Sequence, residues 1–274
     1  MKITQAMNNF WKRTITGVLF VAIIGGAVLW HQLSFLLIFG VINIFCLHEF
    51  YGIFKLSLFY KWMGIITGGI IWLFISMVVL GIVDKSWLYL PILLLFTAIA
   101  GELKTTEEKH FDQPALFVFG IFYISLPVFI LISSAFHAGI YNYIFIIALL
   151  IFIWVNDTMA YVTGSLIGKH KFFERISPKK TWEGVAGGML FTLGFAVVLF
   201  YIFHSTSLAN WLALAVIASV FAIIGDLIES LMKRRLNIKD SGDFFPGHGG
   251  FLDRFDALLF VIPFYFLYLI YMIY

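Results

Sequence analysis

The stretch LANWLALAVIASVFAIIGDLIE, residues 208–229, runs without a charge until Asp226 and Glu229, close to its end. About 20 residues at a rise of 1.5 Å each cross a hydrocarbon layer some ~30 Å thick, so a run of this kind predicts a membrane-spanning helix. Other runs fit the same description: 14–31, 33–54, 62–83, 86–101, 115–136, 141–164, 184–204 and 255–273. A chain of 274 residues with 12% charged side chains and a mean hydropathy of +0.99 is too apolar for a soluble domain. Barrel strands would show as short alternating segments rather than continuous runs. The expected fold class is an all-α polytopic membrane protein with about nine transmembrane helices and short loops.

The charges that remain are unevenly placed. Every one of the eighteen Lys and Arg except Lys85 lies in the N-terminal tail or in the loops after the second, fourth, sixth and eighth runs. The positive-inside rule then puts the N-terminus in the cytoplasm and Tyr274, after an odd number of crossings, outside. Lys2, Lys12 and Arg13 precede the first run as in a signal peptide. That run is too long for an h-region and lacks a small-x-small cleavage site, so it is expected to be retained. With no transit-peptide pattern, the expected location is a bacterial-type inner (plasma) membrane, crossed many times. Cys46, the single cysteine, excludes disulfides and thiolate metal clusters.

No linker, low-complexity tract or internal repeat divides the chain, so residues 1–274 are expected to form one membrane domain. Within it, spans of 1–140 are expected to build the lipid-facing bundle and any homodimer contact, and 141–274 the half that carries chemistry. The mixed-charge loop ELKTTEEKHFDQP, 102–114, reads as solvated.

An Asp at mid-helix costs on the order of 3 kcal/mol on insertion scales, so each acid at a span asks for a reason. Glu49, Asp157, Asp226 and Glu229 qualify, and all lie toward the cytoplasmic ends of their spans. In GDLIESLMKR, 225–234, helical spacing places Asp226, Glu229, Ser230 and Lys233 on one stripe. An ordinary i,i+4 pair of Glu229 with Lys233 accounts for two of them and leaves Asp226 deeper and unpaired, as a metal ligand or relay.

The loop KDSGDFFPGHGGFLDRFD, 239–256, is the most polar stretch near the end of the chain. Gly247, Gly249 and Gly250 allow close backbone approach and positive φ. Asp253 and Asp256 sit where the last span begins, where an acid can simply cap a helix. Beside Lys239, Asp240 and Arg254 they also read as ligands for a hard cation, which takes oxygen donors and retained waters. His248 reads as a turn residue, since hard-cation sites do not favour imidazole.

In the third patch, 156–188, Ser177–Pro178 predicts a helix start, with Lys179, Lys180 and Thr181 in its first turn. Cations there oppose the helix dipole unless an anion lies between, and helix N-termini bind phosphate. A lysine loop that merely attracts anionic lipid is the plain alternative. Together the three patches describe a cytoplasmic-face site for a polyphosphate and a magnesium-type ion, with a lipid as second substrate. Neither a P-loop nor a dinucleotide fingerprint occurs, and nothing points to nucleic acid.

Residues 230–256 resemble the signature of the phosphatidate cytidylyltransferase family. The matching positions are Ser230, Met232, Lys233-Arg234, Lys239-Asp240, Gly242, Phe245-Pro246, His248-Gly249-Gly250 and Asp253-Arg254-Phe255-Asp256. SPKKTWEG at 177–184, NDTMAY at 156–161 and EFY at 49–51 resemble further family motifs in the same order. Met159 stands where members usually carry a smaller residue, and Ser165 where they often carry a basic one.

The resemblance implies an enzyme with short cytoplasmic catalytic loops that joins CTP and phosphatidic acid into CDP-diacylglycerol and pyrophosphate, for phospholipid biosynthesis, with Mg2+ and with K+ as a candidate second ion. It implies Asp226, Asp253 and Asp256 as metal-holding carboxylates, with Lys239 and Asp240 as further catalytic positions. Ser177, Lys179, Lys180, Thr181, Asp157, Ser230, Lys233, Arg234, His248, Gly249, Gly250 and Arg254 are implied to bind substrate. A phosphate monoester is already nucleophilic at neutral pH, so no Ser, Cys or His nucleophile is needed; positioning and charge neutralisation suffice. Alternatives are another CTP-dependent lipid enzyme, such as a CDP-archaeol synthase or a lipid kinase, and an ion-coupled transporter. The transporter lacks support, since inverted repeats are not visible.

Overall fold

A computed structural model of the chain describes residues 2–100, 112–137, 139–242, 244 and 249–273. Its helices follow the apolar runs: α1 (Lys2–Trp30), α2 (Gln32–Ile53), α3 (Leu58–Val79), α4 (Leu90–Ala100), α5 (Asp112–Gly120), α6 (Leu126–Ala135), α7 (Ile144–Ile167), α8 (Trp182–Phe203), α9 (Leu208–Arg235) and α10 (Leu252–Met272). A π-turn, Ile121–Ser125, joins α5 to α6 and makes Asp112–Ala135 one continuous span. Among the described residues, seven helices are long and apolar enough to cross a membrane, namely α2, α3, the α5–α6 span, α7, α8, α9 and α10. The apolar part of α1, Thr16–Trp30, and the described part of α4 are shorter. The protein is an all-α polytopic membrane protein. Leu37, Trp62, Phe122, Tyr201 and Ile202 point outward and exposed, as lipid-facing side chains do.

The chain divides into two compact units: Met1–Tyr141 with Asp240–Arg254, and Asn142–Lys239 with Phe255–Tyr274. In the first, Phe35, Phe39, Leu47, Phe50 and Phe117 form a fully buried core. Two of the polar side chains inside it, Asn43 and Tyr51, are satisfied by groups on other helices. Asn43 donates to the Gly68 carbonyl (3.0 Å) and accepts from the Ser125 hydroxyl (2.9 Å), and Tyr51 donates to the Phe117 carbonyl (2.9 Å). A buried polar group left without such partners costs on the order of 1–3 kcal/mol.

In the second unit, Trp211 is fully buried and stacks on Phe145 at 5.5 Å, while Tyr265 donates to the Phe145 carbonyl. Helices α7 and α8 meet through small residues. A Cβ at Gly184 would lie 2.7 Å from the Ala160 carbonyl oxygen, and one at Gly188 the same distance from that of Asn156. The Gly184-xxx-Gly188 spacing therefore lets two backbones touch, which is how membrane helices pack without a hydrophobic drive between them.

The start of α8 corrects the sequence reading. Ser177–Thr181 is not the first turn of a helix but strand β4, paired antiparallel with β3 (Lys171–Phe173). The register sets Lys171 against Thr181 and Phe173 against Ser177. Pro178 is tolerated because a two-stranded ribbon has free edges on both sides. The helix begins four residues later than Pro178, at Trp182, because Thr181 is extended (φ −128, ψ 154) and its hydroxyl accepts from the Gly184 N–H. A shorter ribbon, β1 (Phe136–His137) with β2 (Ile140–Tyr141), lies in the first unit.

Candidate functional site

The C-terminal end of α9 gathers charge within the second unit. Asp226 is paired with Lys180, and the Ser230 hydroxyl donates to its other oxygen at 3.3 Å. This overturns the expectation that Asp226 stands unpaired. Its partner comes from β4, too far along the chain to be read from helical spacing. Glu229 pairs with Lys233 one turn on, as expected, but the pair is not a surface one: the two side chains are 1% and 12% exposed.

Carboxylate oxygens of Asp226, Glu229 and Asp256 all lie within 4.8 Å of one another. Three carboxylates against the ammonium groups of Lys180 and Lys233 leave an excess of negative charge in a largely buried place. An all-oxygen donor set of this kind fits a hard divalent cation, not a soft one.

Beside this cluster lies a cavity of about 460 Å³, lined among others by Asn156, Asp157, Lys179, Lys180, Thr181 and Asp226. Lys179 is exposed and Lys180 half-buried, so the strand presents two neighbouring cations at different depths. Asn156 is 1% exposed, and among the described residues neither its amide nitrogen nor its carbonyl oxygen has a hydrogen-bond partner. A buried amide with both ends unmet is uncommon and marks a place where a further group can bind.

The N-terminus of α8 is less open to an anion than the sequence reading held. The Trp182 N–H donates to the His170 carbonyl (2.9 Å) and the Gly184 N–H to Thr181 (3.2 Å). Glu183 fills the first turn with a negative charge, accepting from the N–H groups of Lys169 and His170 and meeting the His170 ring at 2.6 Å. The positive charge here is carried by the lysine side chains of β4 instead.

The remaining predicted residues fall as follows. Ser177 is half-buried at the start of β4, and Arg234, Lys239, Asp240 and Arg254 are exposed. The Arg234 guanidinium reaches the Ile238 carbonyl at 3.5 Å. Asp253 belongs to the first unit, where one carboxylate oxygen accepts from the N–H groups of Ser241 (2.9 Å) and Gly250 (2.8 Å). Gly249 has φ +81, the conformation that its glycine identity permits. His248, Gly247, Phe245 and Pro246 lie outside the described residues, as does most of the 102–114 loop.

Three residues were missed or under-read. Glu229 reads from sequence as half of an ordinary i,i+4 pair at a helix end, Asn156 only as part of NDTMAY, and Glu49 as a costly acid within EFY with no role of its own. For each the informative signal was a polar side chain at an apolar span.

The helices define a polytopic membrane protein, with carboxylates and lysines gathered near the C-terminal end of α9. More particularly, the model of the family described as the cytidylyltransferase family matches residues 11–272, and the chain belongs to that family. It is similar to a protein of Staphylococcus saprophyticus subsp. saprophyticus named phosphatidate cytidylyltransferase, 49% identical over 113 residues, covering 40% of this chain and 43% of that protein. A Staphylococcus aureus protein of the same name is 44% identical over 121 residues, covering 43% of this chain and 46% of its own. The matched segment thus spans somewhat less than half the length of these curated relatives.

Proposed function

We propose that the protein transfers a cytidylyl group from CTP to phosphatidic acid, releasing pyrophosphate and leaving CDP-diacylglycerol in the membrane. The observation that carries the reading is the cavity in the second unit, where Lys179 and Lys180 stand beside Asp226 in a chain of the cytidylyltransferase family. The names of the relatives supply the substrates. A phosphate oxygen of the lipid attacks the α-phosphorus of CTP, the α–β phosphoanhydride bond breaks, and its electron pair leaves with pyrophosphate.

Lys179 and Lys180 would neutralise the triphosphate. Lys180 can exchange its Asp226 contact for a phosphate oxygen, holding the α-phosphorus in line for attack. Asp226, Glu229 and Asp256 would hold Mg2+, with K+ as a second ion in the same reading. Bound there, a hard cation would stabilise the charge that develops on the departing pyrophosphate. The lysine and arginine asymmetry supports a cytoplasmic site in a bacterial inner membrane, and a homodimer through the N-terminal spans is part of the same reading.

Purified protein mixed with phosphatidic acid, magnesium and CTP labelled at the α-phosphate should yield a labelled lipid. Label entering the lipid only from the γ-position would make the protein a lipid kinase instead. Reporter fusions at positions 140 and 207 should behave as external, and a fusion at 175 as cytoplasmic; the reverse pattern would invert the topology.

A further inference from the structure

Glu49 lies near the end of α2, yet its carboxylate bonds to residues some two hundred positions further along the chain. One oxygen accepts from the Phe251 N–H (2.9 Å); the other accepts from the Leu252 N–H and from the Ser241 hydroxyl (both 2.9 Å). Leu252 opens α10, so two of these donors are backbone N–H groups at the start of that helix. Such groups lack partners within the helix, and a negative charge beside them suits the helix dipole. The positions where a local cap would stand are Gly250 and Phe251, neither of which has a side-chain acceptor. The cap comes from α2 instead.

The glycines of the loop fit the same arrangement. A Cβ at Gly242 would lie 2.8 Å from one Glu49 oxygen, and one at Gly250 would collide with the other. Neither glycine has a positive φ, unlike Gly249. Their lack of a side chain is therefore explained by the room that the Glu49 carboxylate occupies, not by backbone conformation. Ser241 joins this acid to a second one, since its hydroxyl donates to Glu49 while its N–H donates to Asp253. One turn before Glu49, Phe45 stacks on Phe251 at 4.7 Å and clamps the same segment.

We propose that Glu49 is a positioning residue: its carboxylate holds Ser241, Phe251 and Leu252 against α2, caps α10 and thereby sets Asp253 in register. The part of the test that reads turnover rests on the proposed cytidylyl transfer; the part that reads the loop does not.

Glu49→Gln keeps the shape but turns an amide NH2 toward N–H donors. In purified protein, hydrogen exchange at the Phe251 and Leu252 amides should quicken by at least about tenfold, as expected when a charged acceptor is lost. Turnover should fall by about tenfold or more while the KM for CTP stays within about twofold, because Lys179 and Lys180 are placed by other elements. If Glu49→Gln does not fold, Ser241→Ala removes one of the three bonds and should give the same pattern at a smaller size. A double-mutant cycle adds a check: Gly242→Ala should be damaging alone but nearly silent in a Glu49→Ala background, where the carboxylate no longer occupies the space. Unchanged exchange in Glu49→Gln, or faster exchange with wild-type turnover, overturns the proposal. If wild-type protein makes no labelled lipid, the transfer reading falls, and exchange and the stability arm of the cycle still decide for or against the anchor.

Discussion

The two compact units use the same residue type in opposite ways. In the second unit, Asp226 and Glu229 face the ammonium groups of Lys180 and Lys233. In the first, Glu49 and Asp253 accept from backbone N–H groups and a hydroxyl. A carboxylate held by backbone amides is part of the fold, since those donors cannot leave without unfolding the loop. A carboxylate held by a lysine sits in a reversible contact: the lysine can turn to a phosphate, and the freed oxygen can take a cation. On the proposed reading, charge is therefore exchangeable at Asp226 and structural at Glu49.

The sharpest way to break that contrast is Asp226→Asn. It leaves an oxygen to accept from Ser230 but removes the charge that pairs with Lys180. We expect turnover to fall by about 100-fold, the size of losing one charge-stabilising group in an active site, in a protein that still elutes as a folded species. Activity should also stop on chelation of divalent ions and return with magnesium. Wild-type turnover in Asp226→Asn would remove this carboxylate from the chemistry.

Asp253→Asn is the next largest, and it tests whether the contrast is complete. The N–H groups of Ser241 and Gly250 converge on one oxygen of Asp253. Asn retains an acceptor for them and caps about as well as Asp. If Asp253 were purely structural, the variant would stay within a few-fold of wild type. The family resemblance expects a ligand role and hence a loss of at least about tenfold. Lys180→Gln follows, with a loss of about tenfold that corresponds to roughly 1.4 kcal/mol of phosphate stabilisation and with membrane insertion intact. Near-normal turnover in Lys179→Gln, Lys180→Gln and the double variant would reduce the strand to a lipid-attracting patch.

How much of this was legible follows the distance over which each feature is encoded. The spans were, because an uninterrupted apolar run is a local signal; LANWLALAVIASVFAIIGDLIE became α9 with its acids where expected. The Glu229–Lys233 pair was legible as an i,i+4 contact, but its burial was not, since burial depends on helices that sequence spacing does not place. Lys180 as the partner of Asp226 was invisible for the same reason. Ser177–Pro178 misled because its local chemistry suits a helix start, and strand pairing with Lys171–Phe173 outweighed it. Glu49 was seen as costly, but its bonds span 192 to 203 residues. Gly249 was readable from its residue type, whereas Gly242 and Gly250 needed the position of that carboxylate.

The smallest expected effect concerns Thr181, which was predicted to bind substrate and which the structure uses as the N-cap of α8. Its hydroxyl accepts from Gly184, and its side chain packs close to Gly164 and Gly168. Thr181→Ser keeps the hydroxyl, so it should hold wild-type turnover and lose a few tenths of a kcal/mol through the missing methyl contact. Thr181→Ala removes the cap and should lower stability by about 1 kcal/mol, read as a fall in the thermal midpoint in detergent. If capping is the whole of its role, the KM for CTP stays within about twofold in both variants, because the lysines beside it keep their charge. A KM that rises about tenfold in Thr181→Ala but not in Thr181→Ser would show the hydroxyl contacting the triphosphate as well. That result would move Thr181 from the structural side of the contrast to the exchangeable one, beside Lys180.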